Sequence, residues 1–154
     1  MKSFIALAFP LWFNLLAAQS PDLSRHHSVL TTDCKSIRGH AGRIVAEAGE
    51  TDLNRDVAVA HLDQIEKYHA EMEERLKIIK GLLTPAQWKL VEREHKSLET
   101  VCSTLRGLIK SLKEEFENKN PDKSTVRGLA IKLRTEMSGG NDVHERMKKK
   151  LGIL

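Results

Sequence analysis

An unbroken heptad pattern between Trp88 and Phe116 constrains the fold of this chain more than any other feature. Its members recur at alternating steps of three and four residues, which places them on one face of a long helix. They are Trp88, Val91, His95, Leu98, Cys102, Leu105, Ile109, Leu112 and Phe116. The helix has a clear start, because Thr84 can cap it, Pro85 suits its first turn and Gln87 can complete a capping box. Such a face needs partner helices to cover it.

Three further amphipathic stretches supply those partners. Helices are predicted from Leu23 or Ser28 to Ala48, from Asn54 to Lys80, and from Asp122 or Ser124 towards the end of the chain. Aromatic residues make up only 5% of the sequence, and the β-branched residues form no alternating runs, which argues against a sheet. Short loops between long helices therefore predict an all-α, up-down-up-down four-helix bundle in one domain spanning residues 19–154.

The last helix contains one weak point, at Ser138-Gly139-Gly140-Asn141. The heptad phase continues through it, but a glycine costs about 1 kcal/mol relative to alanine inside a helix. The sequence predicts a kink or a break there.

The first eighteen residues have the pattern of a secretory signal peptide. Lys2 gives a positive start, an interrupted apolar run follows, and Ala17-Ala18 offers small residues for cleavage after Ala18. The alternative is an uncleaved N-terminal anchor. No later segment is long and apolar enough to cross a membrane, so we expect a periplasmic or secreted protein that does not insert into the membrane after cleavage.

The charge and the absence of catalytic motifs argue against nucleic-acid binding and enzymatic activity. The formal charge of +4 is small and the basic residues alternate with acids, so nucleic acid is not an expected partner. No nucleophile elbow, phosphate-binding glycine loop or paired catalytic carboxylates are recognisable, so we expect no enzymatic activity.

The two cysteines, Cys34 and Cys102, both lie after the signal peptide. An even pair in an oxidising compartment predicts a disulfide. Their spacing fits neither a CxxC redox motif nor a haem-attachment motif.

Pairing the helices symmetrically about their loops predicts a different use for Cys34. This pairing stacks Cys34, His69, His95 and Met147 in one layer of the bundle, one residue from each helix. Such a donor set suits copper or, without the methionine, zinc. The metal site and the disulfide compete for Cys34, and each register can slip by a helical turn. The other histidines, His26, His27, His40 and His61, are expected at the surface.

Two resemblances extend these expectations. Leu83-Thr84-Pro85-Ala86-Gln87 resembles the LTxxQ motif of Spy/CpxP-like periplasmic helical proteins, which implies a chaperone-like or envelope-stress accessory protein that binds a protein partner or client. The exported bundle with His144 near its end resembles cytochrome b562-like four-helix bundles, which implies haem ligation by His144. Helix one has no methionine to supply the second haem ligand of that family.

The sequence thus predicts an exported, non-enzymatic bundle without a cofactor that binds a protein partner or client. A bundle that binds copper, zinc or haem is the alternative. The sequence leaves the oligomeric state open.

Overall fold

The computed structural model describes residues 20–153, and these form four helices in a ring. The helices are α1 (Pro21–Glu47), α2 (Arg55–Leu82), α3 (Pro85–Glu117) and α4 (Lys123–Leu151). Each helix packs against two neighbours, and the first and last helices close the ring. This confirms the predicted all-α four-helix bundle. The predicted signal peptide lies outside the described residues.

The helix starts follow the predicted capping chemistry. Thr84 and Gln87 form a reciprocal capping box at the start of α3. The side chain of Asn54 accepts a hydrogen bond from the backbone N–H of Val57, and Asp122 accepts one from that of Thr125. These contacts satisfy backbone donors that the first helical turn leaves unpaired.

The first helix begins at Pro21, two residues before the earlier of its two predicted starts, Leu23 and Ser28. A proline at this position costs nothing, because the missing N–H has no partner in the first turn of a helix. The extra turns continue the heptad face upstream through Leu23 and His27, and both side chains are buried. The predicted surface position of His27 is therefore wrong.

The heptad faces form the core, as the pattern predicts. Every predicted heptad residue of α3 from Val91 to Phe116 is buried, and Leu98, Leu105 and Leu112 are completely enclosed. Trp88 is only partly buried, and its ring packs edge-on against that of His95. Burial of these apolar faces is the main force that holds the four helices together.

Of the predicted kink or break in the last helix, the break is wrong, because α4 runs continuously from Lys123 to Leu151. The kink stays a prediction. A Cβ atom built on the buried Gly140 would lie 3.0 Å from Cγ1 of Val101 on α3. The glycine thus allows α3 and α4 to approach closely, and this packing offsets its low helix propensity. None of the helices within residues 20–153 is long and apolar enough to span a membrane.

Candidate metal centre

The predicted layer of Cys34, His69, His95 and Met147 does not form. Nε2 of His69 lies 2.8 Å from the carbonyl oxygen of Cys102, whereas Nε2 of His95 lies 3.0 Å from that of Leu76. His69 and Leu76 are seven residues apart on α2, or about 10 Å along the helix axis. The two histidines therefore lie about two turns apart.

The cause of this error is the register between α2 and α3. Symmetrical pairing about Leu82 placed His69 opposite His95, but the contacts shift the pairing by one heptad, so that His69 meets Cys102. A helical side chain leans towards the N-terminus of its own helix. In an antiparallel pair of helices the residues in contact are therefore not the ones at equal distances from the connecting loop. Met147 is an enclosed core residue.

The predicted disulfide is not formed in the structure, since Cys34 and Cys102 are both buried free thiols. Burial raises the pKa of the Cys34 thiol to about 12, with smaller contributions from the charges of Asp33 and Cys102.

The structure instead brings together a set of ligands at the α2–α3 interface. His69 and Glu73 are one turn apart on α2, and Cys102 faces them from α3. One ligand atom from each, a ring nitrogen, a carboxylate oxygen and the thiol sulfur, lie within 4.8 Å of one another. Within residues 20–153, this is the one group of three or more such side chains with this proximity. We call it the His69–Glu73–Cys102 triad.

The three side chains are already linked to one another and to Arg106. Nε2 of His69 donates to the carbonyl oxygen of Cys102 and lies 3.6 Å from Oε1 of Glu73. The same carboxylate oxygen accepts a short hydrogen bond from Nη2 of Arg106. Arg106 therefore holds Glu73 beside the imidazole and occupies the oxygen that a metal would use.

The triad lies partly beneath an open groove. A cavity of about 250 Å³ is lined by Glu73, Leu76, Lys77, Glu99, Cys102, Ser103 and Arg106. His69 and Cys102 are buried, whereas the Glu73 side chain is 28% exposed. An ion can thus reach the triad from solvent, and a position next to it stays open towards the groove.

Without a metal ion, Cys102 is a protonated thiol. Burial and, to a smaller extent, the charge of Glu73 raise its pKa to about 12, and Arg106 opposes both effects. A metal ion would displace the thiol proton, as thiolate is the ligand form of cysteine. His69 would also have to give up its bond to the Cys102 carbonyl and carry its proton on Nδ1.

Of these three residues only His69 is a ligand predicted from the sequence, because Cys102 is predicted only as a disulfide partner and Glu73 is not predicted at all. The signal that could have found it is the i, i+4 spacing of His69 and Glu73, which puts both side chains on one side of α2. Only the tertiary structure shows that this side meets Cys102.

His144, the predicted haem ligand, is engaged elsewhere. Its Nε2 atom lies 2.8 Å from Nδ1 of His27, and its Nδ1 atom lies 3.5 Å from Oγ1 of Thr31. Both histidines are completely buried. A haem iron would have to displace His27 from His144, and the structure gives no support for a haem site at this residue.

His40 and His61 are also not simple surface residues. Both are half-buried between α1 and α2, with their Nδ1 atoms 3.0 Å apart. The predicted surface position is wrong for this pair, which links two helices.

No protein-family model, curated protein sequence or solved structure matches this chain.

Proposed function

We propose that this chain is a metal-binding four-helix bundle that holds one zinc ion through His69, Glu73 and Cys102. The observation that carries this proposal is the convergence of three ligand atoms of different chemistry within 4.8 Å of one another at a solvent-accessible edge of the core. Two helices supply the ligands, as is common for metal sites in helical bundles.

The ligand types favour zinc over copper. Imidazole nitrogen, thiolate sulfur and carboxylate oxygen are the three ligand types that zinc accepts in proteins. Cu(I) prefers soft sulfur ligands, and here a carboxylate takes one of the three positions. Zinc prefers four ligands, so three protein ligands leave one position for water or an exogenous ligand on the groove side.

The open position favours exchange of the metal rather than a purely structural role. The apolar faces of α2 and α3 bury Ile65 and Leu98, one turn before His69 and Cys102. Burial of these faces stabilises the bundle independently of an ion, in contrast to small domains that are unfolded without zinc. This supports a protein that takes up and releases zinc. Because residues 1–18 have the pattern of a signal peptide, we expect this uptake and release of zinc to take place outside the cytoplasm.

Zinc titration of the reduced protein against a chromogenic chelator tests the proposal. We expect one zinc per chain, and Cys102→Ser and His69→Gln should each weaken binding at least tenfold. Cys34→Ser and His95→Gln are matched controls, because they replace a buried cysteine and a buried histidine that lie outside the triad. Equal effects of a variant and its control, or no stoichiometric binding, would contradict the site.

Cobalt provides a spectroscopic check, because Co(II) in a site of this type shows a thiolate-to-metal charge-transfer band. We expect the band in the wild type and in Cys34→Ser but not in Cys102→Ser. Tight binding of Cu(I) together with weak binding of zinc would reassign the metal while keeping the site.

Binding of a protein partner or client stays a prediction. Thr84 and Gln87, which carry the LTxxQ resemblance, form the capping box of α3, and this local role accounts for their spacing.

A further inference from the structure

The groove beside the His69–Glu73–Cys102 triad surrounds the open position of the zinc site. Three protein ligands leave one of the four positions that zinc prefers, and this position faces the groove. The side chains that line the groove therefore decide which kind of molecule can complete the coordination of the ion.

Zinc binding leaves this lining with a net positive charge. The two positive charges of the ion are balanced by the carboxylate of Glu73 and the thiolate of Cys102. The other charged side chains of the lining are Lys77, Arg106 and Glu99. Two cations and a single acid thus surround the open position, which favours an anionic ligand over a neutral one.

The remaining acid does not neutralise the two cations. Oε1 of Glu99 lies 3.5 Å from Nδ1 of His95, and within residues 20–153 this carboxylate forms no ion pair with Lys77 or Arg106. Lys77 pairs only with Glu74 at 3.4 Å, and both side chains are well exposed. Such exposed pairs are weak, so Lys77 stays available to another anion.

Arg106 lies next to the position of the ion. It follows Cys102 by four residues, so both side chains lie on the same side of α3. Its Nη2 atom donates to Oε1 of Glu73, and this oxygen lies 3.6 Å from Nε2 of His69. A single carboxylate group therefore separates the guanidinium from the ion.

The guanidinium has further donors for a ligand in the groove. An arginine side chain has five N–H donors, and Arg106 uses one of them in its bond to Glu73. The side chain is 65% exposed, so a molecule in the groove can reach the others. The planar arrangement of these donors matches the two oxygens of a carboxylate, and carboxylate oxygen is also a zinc ligand.

The size and charge of the groove favour a small anion with a single charge. Its volume of about 250 Å³ is below the range of about 300–1,000 Å³ typical of pockets for drug-sized ligands. The two cations exceed the acids of the zinc-loaded lining by one charge. A monocarboxylate balances this excess, whereas Glu99 would repel an anion with two charges more strongly.

We propose, on the basis of the zinc site described above, that the zinc-loaded triad binds a small monocarboxylate. One carboxylate oxygen takes the open zinc position, and Arg106 and Lys77 stabilise its negative charge. Without zinc the carboxylate of Glu73 occupies Arg106 and repels a second anion. Zinc and the carboxylate therefore bind cooperatively, and each raises the affinity for the other by the same factor.

Zinc titrations of the reduced protein with and without acetate test this proposal. Acetamide is the uncharged control, and sodium perchlorate keeps the ionic strength constant. We expect about 50 mM acetate to raise the zinc affinity of the wild type roughly threefold or more in the chelator competition. Acetamide should leave the affinity unchanged. Acetate that binds zinc in solution lowers the apparent affinity, so this side reaction cannot produce the expected rise.

Two variants of α3 identify the group that holds the acetate. Arg106→Ala should lose the response to acetate. Lys110→Ala should keep it, because Lys110 pairs with Glu114 and does not line the groove. The Co(II) protein provides a second readout, since acetate should change the visible absorption bands of the wild type and leave those of Arg106→Ala unchanged.

The outcomes separate the carboxylate site from the zinc site. One zinc per chain without any response to acetate would overturn the carboxylate site and leave the zinc site intact. Absence of zinc binding in every titration would overturn both. An equal response to acetamide, or a full response to acetate in Arg106→Ala, would also contradict the carboxylate site.

Discussion

Nε2 of His69 lies 2.8 Å from the carbonyl oxygen of Cys102, and this contact marks the register of α2 against α3. The bond joins a side chain of one helix to the backbone of the next. It brings the thiol of Cys102 and the carboxylate of Glu73 to the same level of the bundle, and the candidate metal centre depends on this alignment.

Removing Arg106 should strengthen zinc binding. The guanidinium of Arg106 pairs with the Glu73 oxygen that faces His69, and its positive charge opposes a second cation. We expect Arg106→Ala to raise zinc affinity several-fold in the chelator competition. Lys110→Ala is the control, because Lys110 pairs with Glu114 on its own helix. A lower affinity in Arg106→Ala would mean that Arg106 positions Glu73 for binding instead of competing for it.

The two adjacent glycines of α4 should respond to alanine in opposite directions. Gly139 is exposed and an added Cβ meets nothing within 4 Å, so Gly139→Ala should stabilise the protein by up to about 1 kcal/mol. At Gly140 an added Cβ would lie 2.9 Å from Cε of Met137 and 3.0 Å from Cγ1 of Val101. We expect Gly140→Ala to destabilise by about 1–3 kcal/mol, the usual cost of overpacking.

Urea unfolding measures both glycine variants. The additional change Val101→Ala should rescue part of the loss in Gly140→Ala, because it removes the Cγ1 atom that the new methyl group meets. Stabilisation by both substitutions would show that α3 and α4 are not as close at Gly140 as the structure has them.

The free energy of unfolding should fall as the pH falls below 6.5. The folded pKa values of His27 and His144 are lowered to about 3 and about 4, so the unfolded chain binds more protons between those values and about 6.5. Each group then costs about 1.4 kcal/mol of stability per pH unit, and the pair costs roughly 5 kcal/mol between pH 6.5 and 4.5.

Urea titrations at several pH values from 7.5 to 4.5 measure this loss. Well above pH 6.5 both imidazoles are neutral in both states, so the pair should add little pH dependence there. The double variant His27→Leu with His144→Leu should have a flatter profile below pH 6.5. A wild-type profile as flat as that of the variant would be incompatible with a buried neutral pair.

The thiols should be unreactive in the folded protein and accessible after unfolding. Burial raises the pKa of both Cys34 and Cys102 to about 12, so little thiolate exists at pH 8. We expect a thiol reagent to label no cysteine under native conditions and two per chain in denaturant without reductant. If no free thiol is labelled in denaturant, Cys34 and Cys102 form the disulfide predicted from the sequence. Cys102 would then not be available as a metal ligand.

Local signals predicted the elements well. Thr84, Pro85 and Gln87 identified the start of α3, Asn54 that of α2, and Asp122 is the one of two predicted caps that starts α4, because capping is decided within a few residues of the chain. The heptad face upstream of Leu30 is present in the sequence, and one of the two predicted starts of α1, Leu23, includes His27, yet the prediction put His27 at the surface. Gly140 shows the limit of propensity, since α4 continues through this glycine and places it close to Val101 of α3.

The sequence by itself determined that four amphipathic helices bury one face each, because heptad spacing and caps are properties of short segments. Only the tertiary structure decided which turn of one helix meets which turn of the next. A shift by one heptad still packs apolar residues against apolar residues, so the heptad pattern of the sequence cannot distinguish the two registers. The shift nevertheless replaces His95 with Cys102 as the neighbour of His69. The apolar face specifies burial, whereas the partners of the buried polar groups depend on a register that the spacing of residues does not encode.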